Sequence, residues 1–239
     1  MTTKDTPNLE SLRLKYALIL NLIICVLEVV GLALAVKRDG VLHIDYYTQQ
    51  SNILSFVACA VMAYYLWRKL QRPKTTVPHW AILLKYASVV SLTITLLVVL
   101  FILIPMAVPA MGFWSAAGSM LLSTSMTYTH TLCPILALVL FLYFERHEFG
   151  GRKDVLWGLA PTGFYAALAL LMNILKWWHG PYPFLFIYDQ PLWQTIGYAI
   201  VILGGGIGIA KCLELINRKI GGNKKTRRSG SQDWRPVLG

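Results

Sequence analysis

The stretch Ala81–Val108, AILLKYASVVSLTITLLVVLFILIPMAV, carries one charged side chain, Lys85, and is otherwise apolar or small and hydroxylic. A helix rises about 1.5 Å per residue, so this run exceeds the roughly 20 residues needed to cross bilayer hydrocarbon. Five further runs share its character: Leu14–Val36, Tyr46–Trp67, Ser125–Phe144, Val155–Trp177 and Leu192–Leu215. Across the 239 residues, 56% are hydrophobic and 14% charged. A water-soluble domain carries about a quarter charged residues, which excludes a soluble globule. The expectation is an all-α integral, multi-pass membrane protein: a six-transmembrane-helix bundle in one domain over residues 1–219, with a short tail over 220–239.

The net charge of +11 invites a nucleic-acid partner. Such a partner requires basic residues spread over a soluble face with base-stacking aromatics, whereas here they fall in short clusters between apolar runs, so none is expected. All of the 22 basic residues except Lys37, Arg38, Lys85 and Lys176 lie in the terminal segments or in the second and fourth connections. Lys and Arg beside membrane helices are retained in the cytoplasm, so both termini are predicted cytoplasmic and the first, third and fifth connections outward. The tail carries the run Lys224-Lys225-Thr226-Arg227-Arg228 without an apolar face; it is expected to be disordered and drawn to anionic headgroups. Ala33-Leu34-Ala35 resembles a signal-peptide cleavage site, but the first run is longer than a signal core and contains Glu28. Cys25, Cys59, Cys133 and Cys212 stand in separate apolar runs, as buried thiols do. His43, His130 and His179 lack metal-ligand spacing, so neither metal nor cofactor is expected.

A polar side chain inside a span costs on the order of 2–3 kcal/mol, so those present usually face a bundle interior or a cavity. They concentrate in the second span (Asp45, Thr48, Gln49, Ser51, Asn52), the fourth (Thr127, Thr129, His130, Thr131) and the fifth (Asn173). Asp45, Thr48 and Asn52 follow the spacing of one helical face, with Ser51 on its flank. Spans two and four both enter from the outer side, which puts Thr48 and His130 at similar depth. Pro134 follows His130 by four positions and cannot donate to its carbonyl, so a kink is expected beside the imidazole.

Threonine becomes a nucleophile when a neighbouring base takes its proton, and histidine is the usual partner. An intramembrane threonine also commonly bonds its own helix backbone, and a lone histidine bonds across helices, so both readings stand at this point. Glu28 is a second candidate, either orienting the histidine or bonding a neighbouring helix. The uncharged stretch from Pro109 to Thr124, with Trp114, reads as a lid over an outer cavity or as a surface loop. Trp177 to Leu185 is an aromatic, proline-stiffened segment suited to the headgroup zone. Gly204, Gly205, Gly206 and Gly208 read as a surface for close helix packing.

Tyr46-Tyr47-Thr48-Gln49-Gln50-Ser51-Asn52, His130-Thr131-Leu132-Cys133-Pro134 and Tyr182-Pro183-Phe184-Leu185, in that order, resemble a family of six-span membrane proteins. The family includes the androgen-induced protein and the androgen-dependent regulator of tissue factor pathway inhibitor, together with bacterial relatives. The resemblance covers most of the chain from Leu14 to Arg218. Animal members are intramembrane threonine hydrolases that cleave fatty acid esters of hydroxy fatty acids. The resemblance therefore implies a lipid ester as substrate, Thr48 as nucleophile and His130 as general base. Asn52, Ser51 or Gln49 would supply the oxyanion donor; Asp45 and Glu28 would orient; Asn173, Tyr182 and Trp114 would line the substrate cavity. The form of the second-span motif resembles the bacterial branch, which places the protein in the cell membrane. The proline of the histidine motif stands one residue closer to the histidine than in animal members. Acyl transfer to an acceptor other than water, or a carrier or scaffold built around a polar cavity, are the alternatives.

Overall fold

The computed structural model describes residues 9–145 and 152–222. Among them the regular structure is entirely helical, and six helices are long and apolar enough to cross a membrane. These are Leu9–Asp39, Tyr47–Gln71, His79–Met111, Thr124–Phe144, Lys153–Ile174 and Leu192–Ile220, called spans one to six. A shorter apolar helix, Phe113–Leu122, lies between spans three and four. Beyond Gly222, the basic tail lies outside the described residues.

The six runs read from the sequence all become helices, and their ends differ for local reasons. Span two starts at Tyr47, after an extended Tyr46, which leaves Asp45 outside the helix. Span five stops at Ile174 rather than Trp177, because the chain turns at Lys176 with φ 56° and the Lys176 N–H donates to Asn173 O. Gly180 permits the next turn: its φ is +85°, and a Cβ there would stand 3.1 Å from the Leu185 side chain. Within span three, Pro105 removes a helical donor. A wide π-type turn at Val99–Leu103 absorbs the loss, with Ile104 N–H donating to Val99 O.

Span three is the hub, with 56% of its apolar window buried against 22–39% for the other spans. Lys85 and every residue from Tyr86 to Thr95 along it are buried. It packs against spans two, four, five and six, while span one packs mainly on spans two and four. Tyr86 reaches across the bundle to donate to Ala210 O, and it fits because Gly158 has no side chain: a Cβ there would overlap its ring. Gly31 plays the same part between spans one and four, where a Cβ would stand 2.8 Å from Tyr128 Cβ. Of the span-six glycines, only Gly206 is in close packing, 3.2 Å from Ile94 and 3.3 Å from Leu159 by the same measure. Gly204, Gly205 and Gly208 face open space, which corrects the expectation of a four-glycine packing surface.

The end of the bundle remote from the first, third and fifth connections contains a sealed charged cluster. Lys85 Nζ donates to Asn21 Oδ1 at 3.0 Å and to Cys59 Sγ at 2.8 Å, and lies 4.0 Å from Glu145 Oε2. Asn21 Nδ2 donates to Glu145 Oε1 at 2.7 Å, and Asn217 Nδ2 donates to the Phe141 and Glu145 carbonyls. The cluster ties spans one, two, three, four and six together.

Candidate active site

Thr48 is the second residue of span two, so it occupies the first turn of a 25-residue helix, where backbone N–H groups have no intrahelical acceptor. Its N–H meets the Tyr182 hydroxyl at 3.3 Å, and its Oγ1 lies 3.4 Å from the same oxygen. Tyr182 comes from the fifth connection. It is held there by stacking on Phe184, with ring centroids 5.0 Å apart, and by an edge contact with Tyr46. Burial pushes the Tyr182 phenol up to about 12, so it remains a neutral hydroxyl at ordinary pH.

His130 sits on span four within a wide π-type turn, Thr127–Leu132, which closes with Cys133 N–H donating to Tyr128 O. The distortion expected ahead of Pro134 takes this form. His130 Nδ1 lies 2.7 Å from Met120 O, and Thr131 Oγ1 donates to Leu121 O at 2.8 Å. Both carbonyls belong to the last turn of the Phe113–Leu122 helix, whose end would otherwise lack partners. A carbonyl only accepts, so Nδ1 carries the ring proton and the lone pair lies on Nε2. The short helix also packs through Ala116 on Val99 and Ile104 of span three. Of this stretch, Met120 lines the outer chamber.

Thr48 and His130 wall the same cavity, of about 520 Å³, together with Gln49, Thr129, Arg38 and His43. Both are nearly buried, at 8% and 7% exposure, so only a small part of each faces that space. No hydrogen bond joins them among the described residues. Asn52 links the two helices instead, its Nδ2 donating to Thr48 O at 2.7 Å and to Thr129 O at 3.2 Å. Ser51 Oγ donates to Thr48 O at 2.9 Å and lies 3.0 Å from Thr95 Oγ1. The donors of Asn52 and Ser51 are thus engaged within the bundle, and these residues hold the Thr48 backbone. Gln49 faces the cavity, with its Oε1 buried and unpartnered.

A second, narrower slot of about 80 Å³ opens on the other side of Thr48, between spans two, three, five and six. It shares Thr48, Leu103 and Tyr182 with the first cavity. Its remaining walls are mainly Ile, Val, Leu and aromatic side chains, so Thr48 and Tyr182 mark a boundary between an apolar slot and a more polar chamber. Arg38 stands in the polar chamber, paired with Asp39 at 2.7 Å and donating to Ser125 Oγ at 3.1 Å.

Four expected site residues fall elsewhere. Asp45 lies before the helix starts and pairs with His43 at 3.5 Å, because helical spacing applies only from Tyr47 onward. Asn173 lines neither chamber; its Nδ2 donates to His179 O at 2.7 Å and fastens the turn that ends span five. Trp114 is 85% exposed on the outer side of the short helix. Glu28 is fully buried beside Ser55 and Cys133 and lines neither chamber. Arg38 and His43 were legible only as basic groups at the correct end of span one and the first connection. Their place in the chamber wall follows from packing. No family model, curated protein or solved structure matches the chain.

Proposed function

We propose that the protein is an intramembrane hydrolase of fatty-acyl esters, with Thr48 as nucleophile and His130 as general base. The observation that carries the reading is that Thr48 and His130, from different spans, open onto one chamber while His130 keeps Nδ1 on a carbonyl, which in the neutral ring directs the lone pair to Nε2. The motif resemblance to intramembrane threonine hydrolases supports the same pair. Nε2 takes the Thr48 proton as Oγ1 attacks the ester carbonyl carbon, giving a tetrahedral oxyanion. The positive end of the span-two helix and the neutral Tyr182 hydroxyl lie beside Thr48, where that charge develops. Collapse breaks the bond to the alcohol, which leaves with the proton from the imidazolium. Water, deprotonated by the same nitrogen, then releases the acyl group as a carboxylic acid. The mechanism requires the Thr48–His130 hydrogen bond to form as substrate is seated.

The basic-residue distribution supports an outward orientation for this end of the bundle and a basic tail drawn to anionic headgroups at the cytoplasmic face of a cell membrane. The size of the chamber and its Arg38–Asp39 pair favour one variant reaction, acyl transfer to a polar acceptor that occupies the chamber in place of water. The test is hydrolysis of a long-chain ester of a hydroxy fatty acid by the purified full chain in proteoliposomes. Thr48→Ala and His130→Ala are each expected to reduce turnover by about a thousandfold or more. Wild-type rates in both variants would defeat the assignment. Product formation only with an added alcohol would identify the transferase.

A further inference from the structure

We infer that the apolar slot is a single-chain binding track whose far end opens into the bilayer between spans three and six, so that an acyl chain seated at Thr48 runs out into the surrounding lipid. The inference rests on the lipid-ester reading of Thr48 and adds where the chain lies and what limits its length.

Three spaces lie side by side and share walls. The polar chamber and the slot share Thr48, Leu103 and Tyr182. The slot in turn shares Ile94, Val98 and Ile202 with a crevice of about 270 Å³ between spans three and six. Phe101 and Val201, which flank this crevice, are 73% and 60% exposed, as residues of a lipid-facing surface are. Every side chain of the crevice is aliphatic, aromatic or absent, at Gly205 and Gly206. The slot adds eight hydroxyl-bearing residues, Thr48 and Tyr182 at the chamber boundary and Thr195 and Tyr198 of span six among them. This gradient fits an ester whose hydrocarbon points toward the bilayer and whose polar end stays in the chamber.

The opening follows from how span six meets span three. The two touch where Gly206 lies against Ile94, whereas a Cβ on the neighbouring Gly205 would meet nothing within 4 Å. Gly205 therefore leaves the mouth of the crevice unfilled. A slot of only about 80 Å³ admits a single chain rather than a branched or double-chain tail. Because its far end is open, it sets no upper limit on chain length.

The test uses photoreactive fatty acids with a diazirine and an alkyne, one of 16 carbons and one of 8, bound to the full-length protein in phosphatidylcholine vesicles. Cross-linked residues are mapped by mass spectrometry. The 16-carbon probe is expected to label both slot residues such as Leu170 and crevice residues such as Val201. Gly205→Phe, whose Cβ would meet nothing within 4 Å, should occupy the mouth and weaken 16-carbon labelling of the slot by about tenfold, the burial of two methylenes, while leaving the 8-carbon probe unchanged. Gly208→Phe, at an equally open position outside the crevice, should change neither. Should Gly205→Phe fail to reach the membrane, Ile202→Ala widens the same mouth and should raise 16-carbon labelling. Labelling of the slot that is absent in wild type, or unaffected by either crevice variant, overturns the track. The probes contain no ester, so these outcomes are independent of whether Thr48 is the nucleophile.

Discussion

At the chamber end of the bundle, Thr48 and His130 hold a hydroxyl and a ring nitrogen at the wall of a cavity, each supported from behind by backbone contacts. At the opposite end, Lys85, Asn21 and Glu145 close on one another, all buried, and line none of the chambers described. Both regions place polar groups where they are expensive. In the charged cluster, the hydrogen bonds run between buried protein groups of different spans, although Glu145 Oε2 makes none among the described residues, so the groups fasten helices together. In the chamber, Asn52, Ser51, Met120 and Tyr182 take up the supporting bonds, Thr48 Oγ1 keeps a long contact with the Tyr182 hydroxyl, and Thr48 and His130 both border open space. The difference separates a structural polar cluster from a reactive one better than burial does, since the two are buried to similar degrees.

The sharpest way to break this comparison is to remove Lys85. Lys85→Met strands the Glu145 carboxylate and the Asn21 amide in the core, and should destabilise the fold by about 3–5 kcal/mol. Adding Glu145→Gln to the same chain should recover part of that loss. Thermal unfolding of the purified protein reads both, and a Lys85→Met protein as stable as wild type would show that the cluster does not hold the bundle. Any folded Lys85→Met protein should hydrolyse substrate normally.

Tyr182→Phe should have the opposite signature. It removes the one hydroxyl beside both Thr48 N–H and Oγ1, so kcat should fall by roughly 10- to 100-fold, the range for one lost transition-state donor or less. The stacking on Phe184 is retained, so the unfolding temperature should stay near that of wild type. A drop in stability without a drop in kcat would make Tyr182 a packing residue. The smallest effect is expected at Gly208→Ala, where a methyl meets open space and helix propensity improves; a gain of about 0.5–1 kcal/mol follows. Gly158→Ala, which drives a methyl into the Tyr86 ring, should instead destabilise. Equal effects at the two positions would contradict the packing assigned to span six.

Much of this architecture was legible in the sequence because bilayer thickness imposes a length rule, and Ala81–Val108 and its five counterparts satisfy it without reference to packing. Depth alone put Thr48 and His130 at similar height, since both stand early in spans entering from the same side; that they line one chamber follows from packing. What helical periodicity could not supply was where a helix begins and which donors are already engaged. Asp45 was placed on the Thr48 face, but the chain is still extended at Tyr46. Asn52 and Ser51 lie near Thr48 as expected, yet their donors point at backbone carbonyls. Trp114 and Asn173 carry side chains suited to a cavity, and their orientation is set by contacts with no sequence signature. Lys85 was visible as a lone charge in an apolar run, whereas its partners Asn21, Cys59 and Glu145 come from three other spans.

The central claim, that Thr48 is a nucleophile within reach of a membrane ester, is tested most directly by covalent capture. Reconstituted wild-type protein, treated with a long-chain fluorophosphonate and digested, is expected to carry the phosphonyl adduct on the peptide containing Thr48. Thr48→Ala should carry none, and His130→Ala should react far more slowly. Equal labelling of wild type and Thr48→Ala, or an adduct mapped to another residue, would contradict the account.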